Sequence, residues 1–446
     1  MLFASYLRFS PAEAFSSVRL IAISASWRRY RTTVSHSVES QARTTVEPVD
    51  TVQERGGTVN TQTHTQAGFA EANGPTEPSP QPTVQPHPPG TTDSMPGPAA
   101  SAMEGSHTPT EEVDAKGRPL AVVPSRVPWL EIGIFAVIAF GLAWLACLPL
   151  WTSGEGISDP LAVTVYGGLM MFTPLVASII ASIVQRRRAH ARGEVLASAP
   201  RYFGFWPLRP FGRVIGVTVA AFFGIMVLVV LGFLVSAAFG WLALDLTGLS
   251  AFKEQLATLP GMESVPIAVA VLGYLLLMLA GSVSNCFVTI GEEFGWRGWL
   301  LTSLRPLGTW PALLIVGVVW GLWHAPLILL GYNFNRPDIT GLGLMVGGCI
   351  MVGILFGWLR LRTGSVWPAV FAHAALNGSN AMLLGLLMDS GASTPDPALM
   401  TLLGVSGWIV SAVVVATLVL TGQFRKQPEL GIKKATPAAP DHRQTV

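Results

Sequence analysis

Beyond Val127 the chain alternates apolar runs of about 20 residues with short polar breaks. This interruption pattern constrains the fold more than any other feature of the sequence. A run of that length crosses the ~30 Å hydrocarbon core of a bilayer at about 1.5 Å per residue. Lipid offers no partner to an open backbone, so such runs have to be helices. Eight are delimited, at 129–151, 161–184, 214–240, 266–290, 309–330, 341–359, 365–388 and 399–420. Composition agrees: 50% of the 446 residues are hydrophobic and only 12% are charged, about half the charge of an ordinary soluble domain. The net charge of +2, from 28 basic and 26 acidic residues, gives no reason to expect a nucleic-acid partner. Cys147, Cys286 and Cys349 all lie inside apolar runs, which excludes a disulfide-stapled scaffold. The fold expected is all-α, a polytopic eight-helix membrane bundle.

Three regions follow: a polar arm at 1–126, the membrane domain at 127–422, and a basic tail at 423–446. From Val34 to Arg126 the arm is dominated by Ser, Thr, Gln, Pro, Gly and Glu, and disorder is expected because so little apolar surface is available for burial. Residues 1–33 are rich in Arg and carry an apolar run too short for a signal-peptide core. Either they form a surface amphipathic segment or translation starts internally, at a residue such as Met95 or Met103. In the membrane domain, Arg186, Arg187, Arg188, Arg192, Arg201, Arg209 and Arg213 follow the second run, and Arg305 the fourth. Arg360 and Arg362 end the sixth, and Arg425, Lys426, Lys433 and Lys434 follow the eighth. The alternate breaks are acidic. By the positive-inside rule both termini are cytoplasmic, and an even number of spans agrees with that.

Ionisable groups at membrane depth are costly and mark function by default. Of eight histidines only His324 and His373 lie inside apolar runs. Glu292, Glu293 and Arg297 continue the fourth run without a proline break. Glu293 and Arg297, four apart, share a helical face and can pair, whereas Glu292 points about 100° away. His373 and Asn377 repeat that spacing on the seventh run, and Trp320 and His324 on the fifth. Taken singly, each feature has an ordinary reading: a solvated helix end for the carboxylates, and a helix–helix hydrogen bond for a histidine or asparagine. Taken together, they place the intramembrane histidines and the carboxylate pair on three neighbouring spans.

The set Glu292-Glu293-x-x-x-Arg297-Gly298, Trp320-x-x-x-His324 and His373-x-x-x-Asn377 resembles the three-motif pattern of the CAAX-processing and bacteriocin-processing (CPBP, or Abi) intramembrane endopeptidases. That family includes the eukaryotic Ras-converting enzyme. The resemblance covers about 266–388 and extends through Phe294 and Trp296; the arm and the first three runs carry none of it. Trp320 departs from the pattern, since the family usually has Phe there. The resemblance implies a helical bundle in a plasma membrane, here expected to be bacterial, that cleaves a peptide or membrane-protein substrate near the cytoplasmic side.

Amide hydrolysis needs a base for water and donors for the developing oxyanion. On the family's Glu-dependent pattern, Glu292 is the base, His324 holds the water, and His373 and Asn377 supply donors. Glu293, paired with Arg297, orients the helix. No cofactor is expected. Zinc remains an alternative because carboxylates and imidazoles are also its ligands, although no His-Glu-x-x-His run occurs. The competing reading is a non-catalytic transporter, scaffold or immunity protein using the same cluster.

Depth poses a difficulty. Glu292 lies about 39 Å along a straight helix from Pro266, and His324 only about 22 Å from Thr309 on the opposite course. The two meet only if the fourth helix tilts and runs on to about Thr302, with Arg297 reaching the interface.

Overall fold

The computed structural model describes residues 120–430. Most of the polar arm (1–119) and the tail beyond 430 lie outside the described residues. What is described is helical, and the one β-type contact among these residues is an isolated antiparallel bridge between Leu244 and Met388. Seven helical segments are long and apolar enough to cross a membrane, and Thr309–Trp323 is a shorter eighth.

The first span is α1 (Trp129–Thr152). The second is α2 (Pro160–Met171) and α3 (Thr173–Ala191), bent at Phe172, where Pro174 in the first turn of α3 has no N–H to continue the ladder. Asp159 caps α2 by accepting from the Leu161 amide. A short α4 (Ala199–Phe203) ends on Gly204 in the left-handed region, and α5 (Phe211–Ala238) returns across the bundle. After α6 (Ser250–Ala257) comes the element that carries the first motif.

That fourth segment extends far beyond the expected 290. It is helical over Ile267–Leu307, 41 residues in all. It comprises α7 (Ile267–Ser284), α8 (Cys286–Glu293), a π-helical stretch (Phe294–Leu300), α9 (Leu301–Leu304) and a 3₁₀ turn (Arg305–Leu307). The π-helical register is seen directly in the Leu301 amide donating to the Trp296 carbonyl, five residues back. Such stretches recur at functional sites. Two glycines let this segment press onto the bend of the second span. A Cβ on Gly291 would stand 2.5 Å from the Met171 carbonyl oxygen, and one on Gly295 2.7 Å from that of Pro174. Only hydrogen fits at either place.

The fifth run breaks at the second motif. Helix α10 (Thr309–Trp323) stops at His324 and resumes as α11 (Ala325–Ile328). Pro326, in the first turn of α11, cannot donate back into α10. The continuous run expected over 309–330 is therefore two helices, with His324 at the joint. Next come α12 (Ile339–Thr363), capped by Asp338, and α13 (Trp367–Leu387). The last run is also divided, into α14 (Pro397–Met400) and α15 (Val405–Leu420). Helix α13 is the most buried of the spans and packs on α5 and α7, while α12 packs on α10.

Several arginines read as orientation signals are internal. Arg360 is fully buried. It donates from Nη2 to the Tyr202 carbonyl at 3.1 Å, from Nε to the Arg297 carbonyl at 3.3 Å, and from Nη1 to the Gly364 carbonyl. Arg305, 2% exposed, donates to the Leu430 carbonyl and to Gln427 Oε1, both at 2.8 Å. Residues 423–430, which the sequence places in the tail, are thus tied to the bundle. Backbone carbonyls and one side-chain amide oxygen are the acceptors, which is how a guanidinium is tolerated away from water.

Candidate active site

All six residues singled out from the sequence lie on α8, the π-helical stretch, the α10–α11 joint and α13. Glu292, Glu293 and Arg297 have no exposed surface, and His324 and His373 are 2% and 4% exposed. Arg297 therefore does not reach the interface. It lies inside, and its partners explain why.

Glu293 Oε1 accepts from Arg297 Nη1 at 2.8 Å and from His373 Nδ1 at 2.9 Å. The expected pair between Glu293 and Arg297 is present, and it continues into a triad that joins the first motif to the third. The guanidinium carbon of Arg297 lies 4.1 Å from the centre of the Trp320 ring and 5.3 Å from that of Phe356. Two aromatic faces thus supply part of the stabilisation that water would otherwise give the cation. Arg297 Nε and Nη2 have no hydrogen-bond partner among the described residues.

Glu292 faces elsewhere, as its 100° offset requires. Its Oε2 accepts from the indole Nε1 of Trp320 at 2.7 Å, and its Oε1 has no partner among the described residues. His324 Nδ1 stands 2.8 Å from the Trp320 carbonyl oxygen. A carbonyl only accepts, so Nδ1 carries the hydrogen and Nε2 of the neutral ring is left as an acceptor. The depth difficulty is thereby resolved. The fourth helix does continue past the motif, and Glu292 and His324 are both tied to Trp320.

Asn377 lies one turn beyond His373 on α13 and is half-buried. Its Nδ2 has no partner, and no hydrogen bond links it to the other five among the described residues. Nearby on α7 and α13, Ser282 Oγ, Asn285 Oδ1, Ser379 Oγ and Asn380 Oδ1 are likewise buried without partners. Ser282 meets α13 at Gly378, where a Cβ would stand 2.6 Å from the Ser282 Cα. These groups point to a polar interior between α7 and α13.

Sequence reading missed three contributors. Trp320 stands out in the sequence by its spacing and as a departure from the usual Phe, but not as a donor, although an indole N–H inside a span needs an acceptor and so signals a partner. Phe356, whose ring centre lies 5.6 Å from that of His373, looks like any core aromatic in the sequence. Cys349 Sγ approaches His324 Nδ1 to 3.9 Å, and nothing in the sequence marks it. Among the described residues no three His, Cys, Asp or Glu side chains converge as a metal-holding group. Glu293 is taken up by Arg297 and His373, and His324 Nδ1 by a carbonyl.

Buried carboxylates, imidazoles and an unpartnered carboxamide are thus gathered inside a helical membrane bundle. The comparisons agree with the motifs. Residues 270–379 match the family model described as type II CAAX prenyl endopeptidase Rce1-like, and all six site residues fall within that stretch. The chain is also similar to CAAX prenyl protease 2 of Methanococcus maripaludis, 31% identical over 106 residues. That alignment covers 22% of this chain and 38% of the relative's length. Over the matched segment the chain is similar to CPBP-type endopeptidases, and it spans well under half the length of the relative it matches.

Proposed function

We propose that this protein is an intramembrane endopeptidase of the CAAX-processing and bacteriocin-processing type, hydrolysing a peptide bond with water activated by Glu292. One observation carries the reading. Glu292 is fully buried, with Oε2 held by Trp320 and Oε1 free of any partner among the described residues. A buried acceptor left open costs stability, and a reacting water is the natural occupant.

The remaining roles follow from hydrogen placement. His324, with Nδ1 donating to the Trp320 carbonyl, offers Nε2 as an acceptor to hold the same water. His373 donates Nδ1 to Glu293, so it serves an oxyanion through Nε2 only when doubly protonated. Asn377 Nδ2 is the second donor. The attack and the stabilisation thus fall to separate groups, as acyl-transfer sites require.

No metal takes part in this reading. Activity that survives chelation is the expected result. The substrate is a peptide or membrane-protein segment presented from the bilayer. The relative's name makes a prenylated peptide with a C-terminal CAAX sequence the first to test. The setting is a plasma membrane with both termini cytoplasmic.

The test is Glu292→Gln in the full-length protein, assayed with a quenched farnesylated CAAX peptide and by comparative proteomics of membranes. The change keeps the size and removes the base, so turnover should fall by roughly 10²–10⁴-fold with substrate binding retained. Undiminished turnover would remove Glu292 from the chemistry. Absence of any cleaved product from the wild type would favour the transporter or scaffold reading.

A further inference from the structure

Trp320 contacts more of the site than any residue assigned to the chemistry. Its indole N–H holds Glu292 Oε2 at 2.7 Å, and its carbonyl holds His324 Nδ1 at 2.8 Å. Its ring lies under the Arg297 guanidinium at 4.1 Å and meets the His373 ring edge-on, with centres 5.4 Å apart and planes at 75°. The residue is 2% exposed, so the ring has little freedom to swing.

We infer that Trp320 is a positioning residue that fixes the direction in which Glu292 works, committing Oε2 to the indole and Oε1 to water. The inference rests on the reading of Glu292 as the base. The last torsion of a glutamate is broad and roughly two-fold, so a carboxylate facing a polar interior would otherwise present either oxygen over a range of angles. One short hydrogen bond from a clamped ring removes that freedom. The same residue sets the acceptor nitrogen of His324 through its main chain. The two groups that share the water are therefore registered to one point on α10. A phenylalanine, usual here in the resembling family, keeps the aromatic face for Arg297 but has no N–H to give. This chain carries a bond that the usual residue cannot make.

A purely structural role would come from the bulk of the ring, so the test separates ring from N–H. Trp320 is replaced by β-(3-benzothienyl)alanine, which substitutes sulfur for the N–H in a ring of nearly the same shape, and separately by Phe (W320F). The full-length protein in detergent is assayed with the farnesylated CAAX peptide. Both changes should lower kcat on the order of 10- to 100-fold, the worth of a hydrogen bond to a charged group, and leave KM unchanged. Wild-type kcat in the sulfur analogue would overturn the inference and assign Trp320 to packing. Should the wild type cleave nothing, the peptidase reading fails, and the bond is still judged by thermal melting of a double-mutant cycle with Glu292→Met. Non-additive Tm shifts uphold the Trp320–Glu292 bond, and additive shifts overturn it.

Discussion

Glu293 is the residue on which two motifs meet, and its two partners change what its loss should do. Glu293→Gln keeps the shape but removes the charge that Arg297 and His373 share. Breaking a buried pair typically costs about 3–5 kcal/mol, so its Tm in detergent should fall clearly, and turnover with it. Asn377 offers the opposite case. Its Nδ2 is unpartnered among the described residues, so Asn377→Ala removes no stabilising bond and should leave Tm nearly unchanged. If Asn377 serves the oxyanion, kcat should fall on the order of 10²–10³-fold. Equal Tm losses in the two variants would contradict this division. Sequence spacing already put Glu293 and Arg297 on one helix face, and His373 and Asn377 on another, because positions four apart on one helix are a local matter. The bonds from Glu293 to His373 and from Trp320 to Glu292 were not legible. They join residues 80 and 28 positions apart, and only the packing of α8 against α10 and α13 creates them.

Helices show the same boundary between local and tertiary information. The first span ends within a residue of expectation because a long apolar run with polar flanks leaves no alternative. The fourth apolar run stops at 290, where the charged residues begin, although the missing proline break leaves room for a helix to about Thr302 and the structure carries it to Leu307. Its continuation depends on Glu293, Arg297 and Arg360 satisfying one another, which no window of hydropathy contains. Close backbone contact against the second span is the other requirement. Gly295→Ala would place a methyl group 2.7 Å from the Pro174 carbonyl oxygen. Overpacking of this kind costs about 1–3 kcal/mol. Melting should show the loss, and Gly295→Ser should be no milder. On the opposite end of the bundle, Arg336 holds Asp396 through two hydrogen bonds of 2.8 and 2.6 Å. The guanidinium holds the Asp396 carboxyl below the usual carboxylate range. A depressed folded-state pKa gives stability that is present above the unfolded value, about 3.9, and is lost as pH falls through the folded one. The pair is about one-third exposed on each side, so screening limits it to under about 1 kcal/mol. Asp396→Asn should lower Tm slightly at neutral pH and erase that share of the decline below about pH 4; an unchanged acid decline would show that the pair does not contribute.

For the whole molecule, the count of spans and the placement of charge have to agree on orientation. Taking the seven long segments alone would leave the two ends of the membrane domain on opposite sides. The short α10 with α11 is the expected eighth crossing: over 309–328 the two cover about 30 Å at helical rise, the thickness of the hydrocarbon core. With eight crossings the ends are expected to fall together, on the side of the basic loops. Some basic residues lose their vote, because Arg305 and Arg360 are buried among carbonyls. Enough remain, since Arg187, Arg188 and His190 at the end of α3 are exposed. The expected topology is checked by single-cysteine labelling with a membrane-impermeant reagent. The described native cysteines, Cys147, Cys286 and Cys349, are buried, so background labelling should be low. Ser158, Ser393 and His190 are exposed. Probes at Ser158 and Ser393 should react from outside intact cells, and a probe at His190 should react only after the membrane is opened. Labelling of His190 from outside would reverse the orientation. It would also move the Glu292 end of the fourth span, and with it the side from which the proposed substrate would approach, to the opposite face.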